Sequence, residues 1–165
     1  MDNKYGGKYG GLGVMEEKGR KFLTFTLVGE EYGIEILQVK EIIGMMPITK
    51  VPRTPKYFKG VINLRGKVIP VVDLRLRLGM EERDYTPKTC IVVVELKRNG
   101  SSETLGVVVD SVCEVVNIKS DDTEEPPAFR EMLDTRYVVG IAKTEGKMKV
   151  LLDMNKLLGV GNSSA

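Results

Sequence analysis

Histidine and tryptophan are absent from the chain, and cysteine occurs only twice. Without histidine there is no Ser–His or Cys–His couple for nucleophilic catalysis and no imidazole to ligate a metal. Cys90 and Cys113 lack the short spacing of paired metal ligands, and both fall in apolar β patterns that predict buried, inert thiols. Aromatic residues make up 6% of the chain, and the 25 basic and 23 acidic residues leave a formal net charge of +2. That balance gives little footing for nucleic-acid or anionic-membrane binding as the main task. No apolar run approaches the roughly 18 residues of a membrane span, and no signal-peptide core opens the chain. These absences predict a soluble protein of a reducing cytoplasm, one that performs no chemistry.

What is present is a succession of short strand signals. Met1 to Gly19 contains GGKYGGLG and a charged run, so residues 1–19 read as a flexible tail. In KFLTFTLV, Leu23, Phe25 and Leu27 share one face and Thr24 and Thr26 the other. A turn at Gly29-Glu30 leads to EYGIEI and LQVKEIIGM, and the three prolines of PITKVPRTP enforce an extended or looped stretch. GVINL and KVIPVVDL meet at Arg65-Gly66, a tight hairpin turn, and DLRLRLG reads as a short helix capped by Asp73 and stopped by Gly79. CIVVVEL, a loop turning at Asn99-Gly100, and LGVVVDSVCEVVNI open the second half. After the breaker-rich SDDTEEPPAF come YVVGIAK, a turn at Glu145-Gly146, KMKVLL and a capped helix, DMNKLLG. Strands this short, with turns this close, predict an all-β barrel or sandwich.

The chain repeats itself. YFKGVINLRGKVIPVVDLRLRLG from Tyr57 aligns without a gap on YVVGIAKTEGKMKVLLDMNKLLG from Tyr137, at an offset of 80 residues. Gly60, Gly66, Lys67, Asp73, Leu78 and Gly79 recur as Gly140, Gly146, Lys147, Asp153, Leu158 and Gly159. The matches lie where backbone geometry restricts choice: a turn glycine, a helix cap, a helix stop. Upstream, YGIEILQVKEII from Tyr32 pairs more loosely with LGVVVDSVCEVV from Leu105, setting Gly33 against Gly106. We read residues 20–85 and 86–160 as two copies of one small barrel unit, packed through a shared apolar seam because a unit of about 70 residues is marginal alone.

The runs FTLVGEEYGIEILQVKEI, KGVINLRGKVIPVVDLR and KVLLDMNKLL, in order over Lys21 to Gly159, resemble the bacterial chemotaxis coupling protein family, CheW. The resemblance implies two five-stranded SH3-like β-barrels with a hydrophobic core between them, short helices after the last hairpin of each, and terminal segments that can cross between barrels. It implies a non-enzymatic cytoplasmic adaptor without cofactor or metal, forming one domain of this family overall. Its implied partners are the regulatory domain of the chemotaxis histidine kinase and the cytoplasmic signalling tip of chemoreceptors, with no direct membrane insertion.

Within that frame seven residues become candidates for partner binding. Arg65 stands at the NLRG hairpin tip, where its guanidinium can hold a carboxylate in two-pronged fashion, on a partner or on Glu41. The second repeat has Glu145 at that place, so the turn itself does not demand arginine. Glu41 lies in QVKEI, the family's partner-facing segment, where its role is to orient Arg65 or to meet a partner. Ile36, Val39 and Ile42 either line an apolar groove for a receptor helix or fill a barrel core. Gly60 is first a conformational glycine and secondly a point of close approach, and Asn63 satisfies the turn or meets a partner. Asp121 and Asp122 lack the ligand alternation of a calcium loop, and no glycine motif opens onto a helix to hold phosphate. A nucleic-acid-binding SH3-like barrel is the alternative function; it requires a basic face and exposed aromatics.

Overall fold

The computed structural model describes residues 18–124 and 136–159. Most of the glycine-rich tail and the later part of SDDTEEPPAF lie outside the described residues. Eleven strands are described: β1 (Arg20–Leu27), β2 (Glu30–Glu35), β3 (Val39–Gly44), β4 (Phe58–Leu64), β5 (Lys67–Asp73), β6 (Cys90–Arg98), β7 (Ser101–Val109), β8 (Ser111–Ile118), β9 (Thr123–Glu124), β10 (Val138–Thr144) and β11 (Lys147–Leu152). Two short helices follow the last hairpin of each repeat, α1 (Leu74–Arg77) and α2 (Met154–Leu158). Asp73 caps the first by accepting from the Arg75 N–H at 3.0 Å, and Asp153 the second by accepting from the Lys156 N–H at 3.1 Å. No described helix is long and apolar enough to cross a membrane.

The strands form two sheets, one ordered β8-β1-β2-β11-β10-β9 and the other β3-β6-β7-β5-β4. This is the all-β, two-unit architecture that the turn spacing and the repeat predict, and the SH3-like form is the one that the family resemblance implies. Each sheet contains a parallel junction, where β2 runs parallel to β11 and β7 parallel to β5. The two junctions have the same register: Leu151 pairs with Gly33 in one, and Val71 with Gly106 in the other. Those four residues are repeat equivalents, so this junction is the same in the two sheets down to the residue.

The compact units are nevertheless not the linear halves 20–85 and 86–160. One gathers residues 18–24, 30–36, 114–124 and 136–159, around a core of Phe22, Ile118, Ala142 and Leu151. The other comprises Phe25–Gly29 and Leu37–Cys113, around Ile62, Ile69, Val71, Ile91, Val93 and Val108. The hairpin β1–β2 of the first half thus completes the sheet of β8, β10 and β11, while β6–β7 completes that of β3, β4 and β5.

Connector length explains the exchange. Because β3 is antiparallel to β6 and β6 to β7, β3 and β7 run parallel. Were β2 to take the place of β7 in its own half, β2 and β3 would become parallel strands of one sheet. They are joined by a 3-residue turn, Ile36–Gln38, which reaches about 11 Å at most, whereas returning along a strand this long takes about 20 Å. Parallel neighbours need a crossover of about a dozen residues. β7 and β8 are separated by Asp110 alone, so the same limit holds in the second half. Each hairpin therefore carries straight on into the other sheet.

Candidate partner-binding site

The β4–β5 hairpin turns on Arg65 and Gly66, with φ of 52° and 89°. Two consecutive positive φ values make the type I′ turn that matches the twist of paired strands. Asn63 stabilises it: its Oδ1 accepts from the Gly66 N–H at 2.8 Å. Turn geometry lifts the Arg65 side chain away from the sheet, where it is 68% exposed, and a guanidinium N–H donates to the carboxylate of Glu41. Glu41 sits on β3 beside a bulge between Val39 and Glu41, a device that re-aims a side chain, and its side chain is 33% exposed.

Three of the seven candidates, Arg65, Glu41 and Asn63, are thereby brought into one turn-centred cluster. The second repeat does not reproduce it. Glu145 occupies the corresponding turn with φ of 52°, and Glu114 corresponds to Glu41, so two like charges stand where the first repeat has an ion pair. The pair is thus particular to one unit, and no demand of the hairpin explains it.

The apolar candidates are spread more widely. Along β3 burial alternates, so Val39, Glu41 and Ile43 are half-buried while Lys40, Ile42 and Gly44 are exposed. Ile43 packs against the core of its unit, and Ile42 points the other way, to solvent. Ile36 is half-buried in the turn after β2 and groups with the other unit. None of Ile36, Val39 and Ile42 is a fully buried core residue, and they do not share one face of β3.

Gly60 is buried beneath its own chain. Residues 48–49 cross over it, where Thr49 exchanges backbone hydrogen bonds with Val61 at 2.8 and 2.9 Å. A Cβ at position 60 would lie 2.1 Å from the Thr49 carbonyl oxygen, and φ is 135°. The glycine is accounted for by this crossing.

Other surface features were passed over in the sequence. Leu37, at 91% exposure, stands at the turn between β2 and β3. Val68 and its repeat equivalent Met148 are both exposed, as are Ile42 and its equivalent Val115. Outward apolar residues recurring at the repeat offsets were the signal that could have found them. Cys113 is exposed on β8, against the expectation of burial, within a run of three exposed residues, Cys113 to Val115; Cys90 is half-buried and burial pushes its thiol pKa up.

Near α1 lies a second ion pair, Lys59 Nζ to Glu82 at 2.9 Å. The hydrogen bond from Lys59 holds the Glu82 carboxyl below its usual range, and the same bond raises Lys59 against a smaller opposing effect of burial.

The CheW-like domain matches residues 21–161 of this chain. A chemotaxis protein CheW of Klebsiella aerogenes is 38% identical over 143 residues, covering 87% of this chain and 84% of that protein. A chemotaxis protein CheW of Bacillus subtilis is 32% identical over 147 residues, covering 89% and 92%. Among solved structures, the scaffolding protein TtCheW of Thermoanaerobacter tengcongensis superposes with a TM-score of 0.75 at 38% identity, covering 89% of this chain and 97% of that one. These relatives are named for chemotaxis and for scaffolding, not for a reaction.

Proposed function

The chain belongs to the CheW-like family of chemotaxis scaffold proteins, and on that premise we propose that it couples the cytoplasmic tip of chemoreceptors to the regulatory domain of the chemotaxis histidine kinase. It acts in the cytoplasm, without cofactor or metal, by bridging two proteins. The observation that carries this reading is the Arg65–Glu41 pair: a strained, exposed turn holds a guanidinium fixed by a carboxylate of the neighbouring strand. A cation pre-oriented in this way loses little freedom when it meets a partner's carboxylate, and charge placement of this kind sets register and partner choice more than raw affinity.

Apolar contact supplies the affinity. Ile42 and Val39 on β3 and Ile36 before it are candidate contributors, with Asn63 keeping the turn in shape and Gly60 keeping the crossing segment seated. Signal passes as a shift in the geometry of the bridged assembly.

Co-sedimentation with a purified receptor signalling fragment and, separately, with the kinase regulatory domain tests the proposal. Complexes with both at tens of micromolar are the expected result, and no complex with either contradicts it. An Arg65→Ala chain that folds and binds both partners as the wild type does would remove Arg65 from the site.

A further inference from the structure

The connectors fix which hairpin each sheet receives within one chain, but β1–β2 and β6–β7 enter their sheets in the same register, so between copies of the chain only side chains can tell the two hairpins apart. Two charged side chains buried to 1% exposure do so, one in each unit. Lys149 of β11 points into its unit on the face of Leu151, and its Nζ lies 3.4 Å from Glu31 Oε1 and 3.3 Å from the Thr144 carbonyl oxygen. Glu31 is its register partner on the incoming β2. In the other unit Arg75 of α1 forms two hydrogen bonds to Asp73, at 3.2 and 3.0 Å, and a third contact at 3.3 Å to Asp110, the residue that ends the incoming β6–β7 hairpin.

Neither contact is repeated. The equivalents of Lys149 and Glu31 are Ile69 and Thr104, two residues upstream of the Val71–Gly106 pair. The equivalents of Arg75 and Asp110 are Asn155 and Leu37. Packing is adjusted to match: Ala142 lies directly across from Lys149, where the other unit sets Ile62 across from Ile69. The smaller alanine leaves room for the lysine stem.

We propose that the Lys149–Glu31 and Arg75–Asp110 pairs are identity contacts, which admit only the correct hairpin to each unit and so keep the wrong hairpin of a second copy of the chain out of the sheet. With the hairpins interchanged, the buried Lys149 faces Thr104 and loses its counter-ion; Glu31 faces the apolar Ile69 and keeps only Lys67, the equivalent of the Lys147 that lies 3.6 Å from it here; and Arg75 keeps Asp73 but loses Asp110 to Leu37. An uncompensated buried charge is costly, and the best-attested use of buried polar pairs is to fix register and pairing. The three-residue and one-residue connectors forbid a chain from mispairing with itself, so mispaired hairpins must come from a second copy. Loss of identity therefore reads out as association, by the general route of swapping an element between protomers.

The test uses the full chain refolded from denaturant over a range of protein concentrations, with mass measured by light scattering after gel filtration. Lys149→Ile combined with Glu31→Thr installs the uncharged pair of the other unit, and Lys149→Arg retains an ion pair. The expected result is a concentration-dependent rise in dimers or larger species for the first variant, while the Lys149→Arg variant keeps the wild-type distribution. A Lys149→Ile, Glu31→Thr chain that refolds to the wild-type distribution overturns the proposal. So does one that fails to fold at all, since the pair would then supply stability and not identity; association of the Lys149→Arg variant to the same extent would do so too.

Discussion

Arg65 and Glu41, 24 residues apart in sequence, meet as an ion pair between a hairpin tip and the bulged strand β3. With Arg65 largely in water the pair contributes little to folding. A double-mutant cycle of Arg65→Ala and Glu41→Ala in urea denaturation is expected to give a coupling of under about 1 kcal/mol. Binding is where the pair matters. Arg65→Ala is expected to weaken association with at least one partner by about tenfold or more, ~1.4 kcal/mol, while Glu41→Ala has a smaller effect because it frees Arg65 without removing it.

Gly60 and Gly66 both have positive φ, but only one is enclosed. Gly66→Ala meets no atom within 4 Å, so its cost is the backbone conformation alone, about 1 kcal/mol. Gly60→Ala drives a methyl into the Thr49 carbonyl and must displace the segment that crosses it, for a loss of about 3 kcal/mol or more. Urea denaturation of the two variants should separate them in that order.

Lys59 and Glu82 predict a pH window. Glu82 is depressed by Lys59, so its contribution is present above the unfolded carboxylate pKa and lost as pH falls through the folded one. Lys59 is raised, so its contribution is present below the unfolded lysine pKa and lost as pH rises through the folded one. The difference in Tm between wild type and Glu82→Gln is therefore expected to be largest at neutral pH and to vanish at both acidic and strongly alkaline ends. Because Glu82 lies at the surface, added salt should shrink it.

The two thiols should react differently. Cys113 is exposed, whereas Cys90 is half-buried with a raised pKa, and thiolate is the reactive form. A disulfide reagent at neutral pH is expected to label one thiol rapidly in the folded chain, at Cys113 by peptide mapping, and the second only on unfolding.

Much of this architecture was legible in the residues, for local reasons. Arg65-Gly66, Asn99-Gly100 and Glu145-Gly146 are turns because two successive positive φ values favour glycine at the second place, and Asp73 and Asp153 are caps where the helices begin. The first hairpin was read at Gly29-Glu30, one residue late: its turn uses Val28 with φ of 51°, a conformation a β-branched residue rarely takes. Asp110 holds it there by accepting from the Val28 N–H at 2.7 Å, and no pattern around Val28 announces a contact from 82 residues away. The hairpin exchange was written in the connectors between β2 and β3 and between β7 and β8, but only once strand directions are known. Of the site, the Arg65 turn and its Glu41 partner could be anticipated from spacing and resemblance. The opposite facing of Val39 and Ile42 also follows from spacing, since residues three apart in a strand point to opposite faces and burial alternates along β3.

The coupling role is tested most directly by asking for a bridge. Kinase regulatory domain is passed over an immobilised receptor signalling fragment, with and without this chain, and the retained kinase domain is quantified. Retention that requires the wild-type chain and drops about tenfold with Arg65→Ala is the predicted result. Equal retention with and without the chain, or no retention in either case, would contradict it.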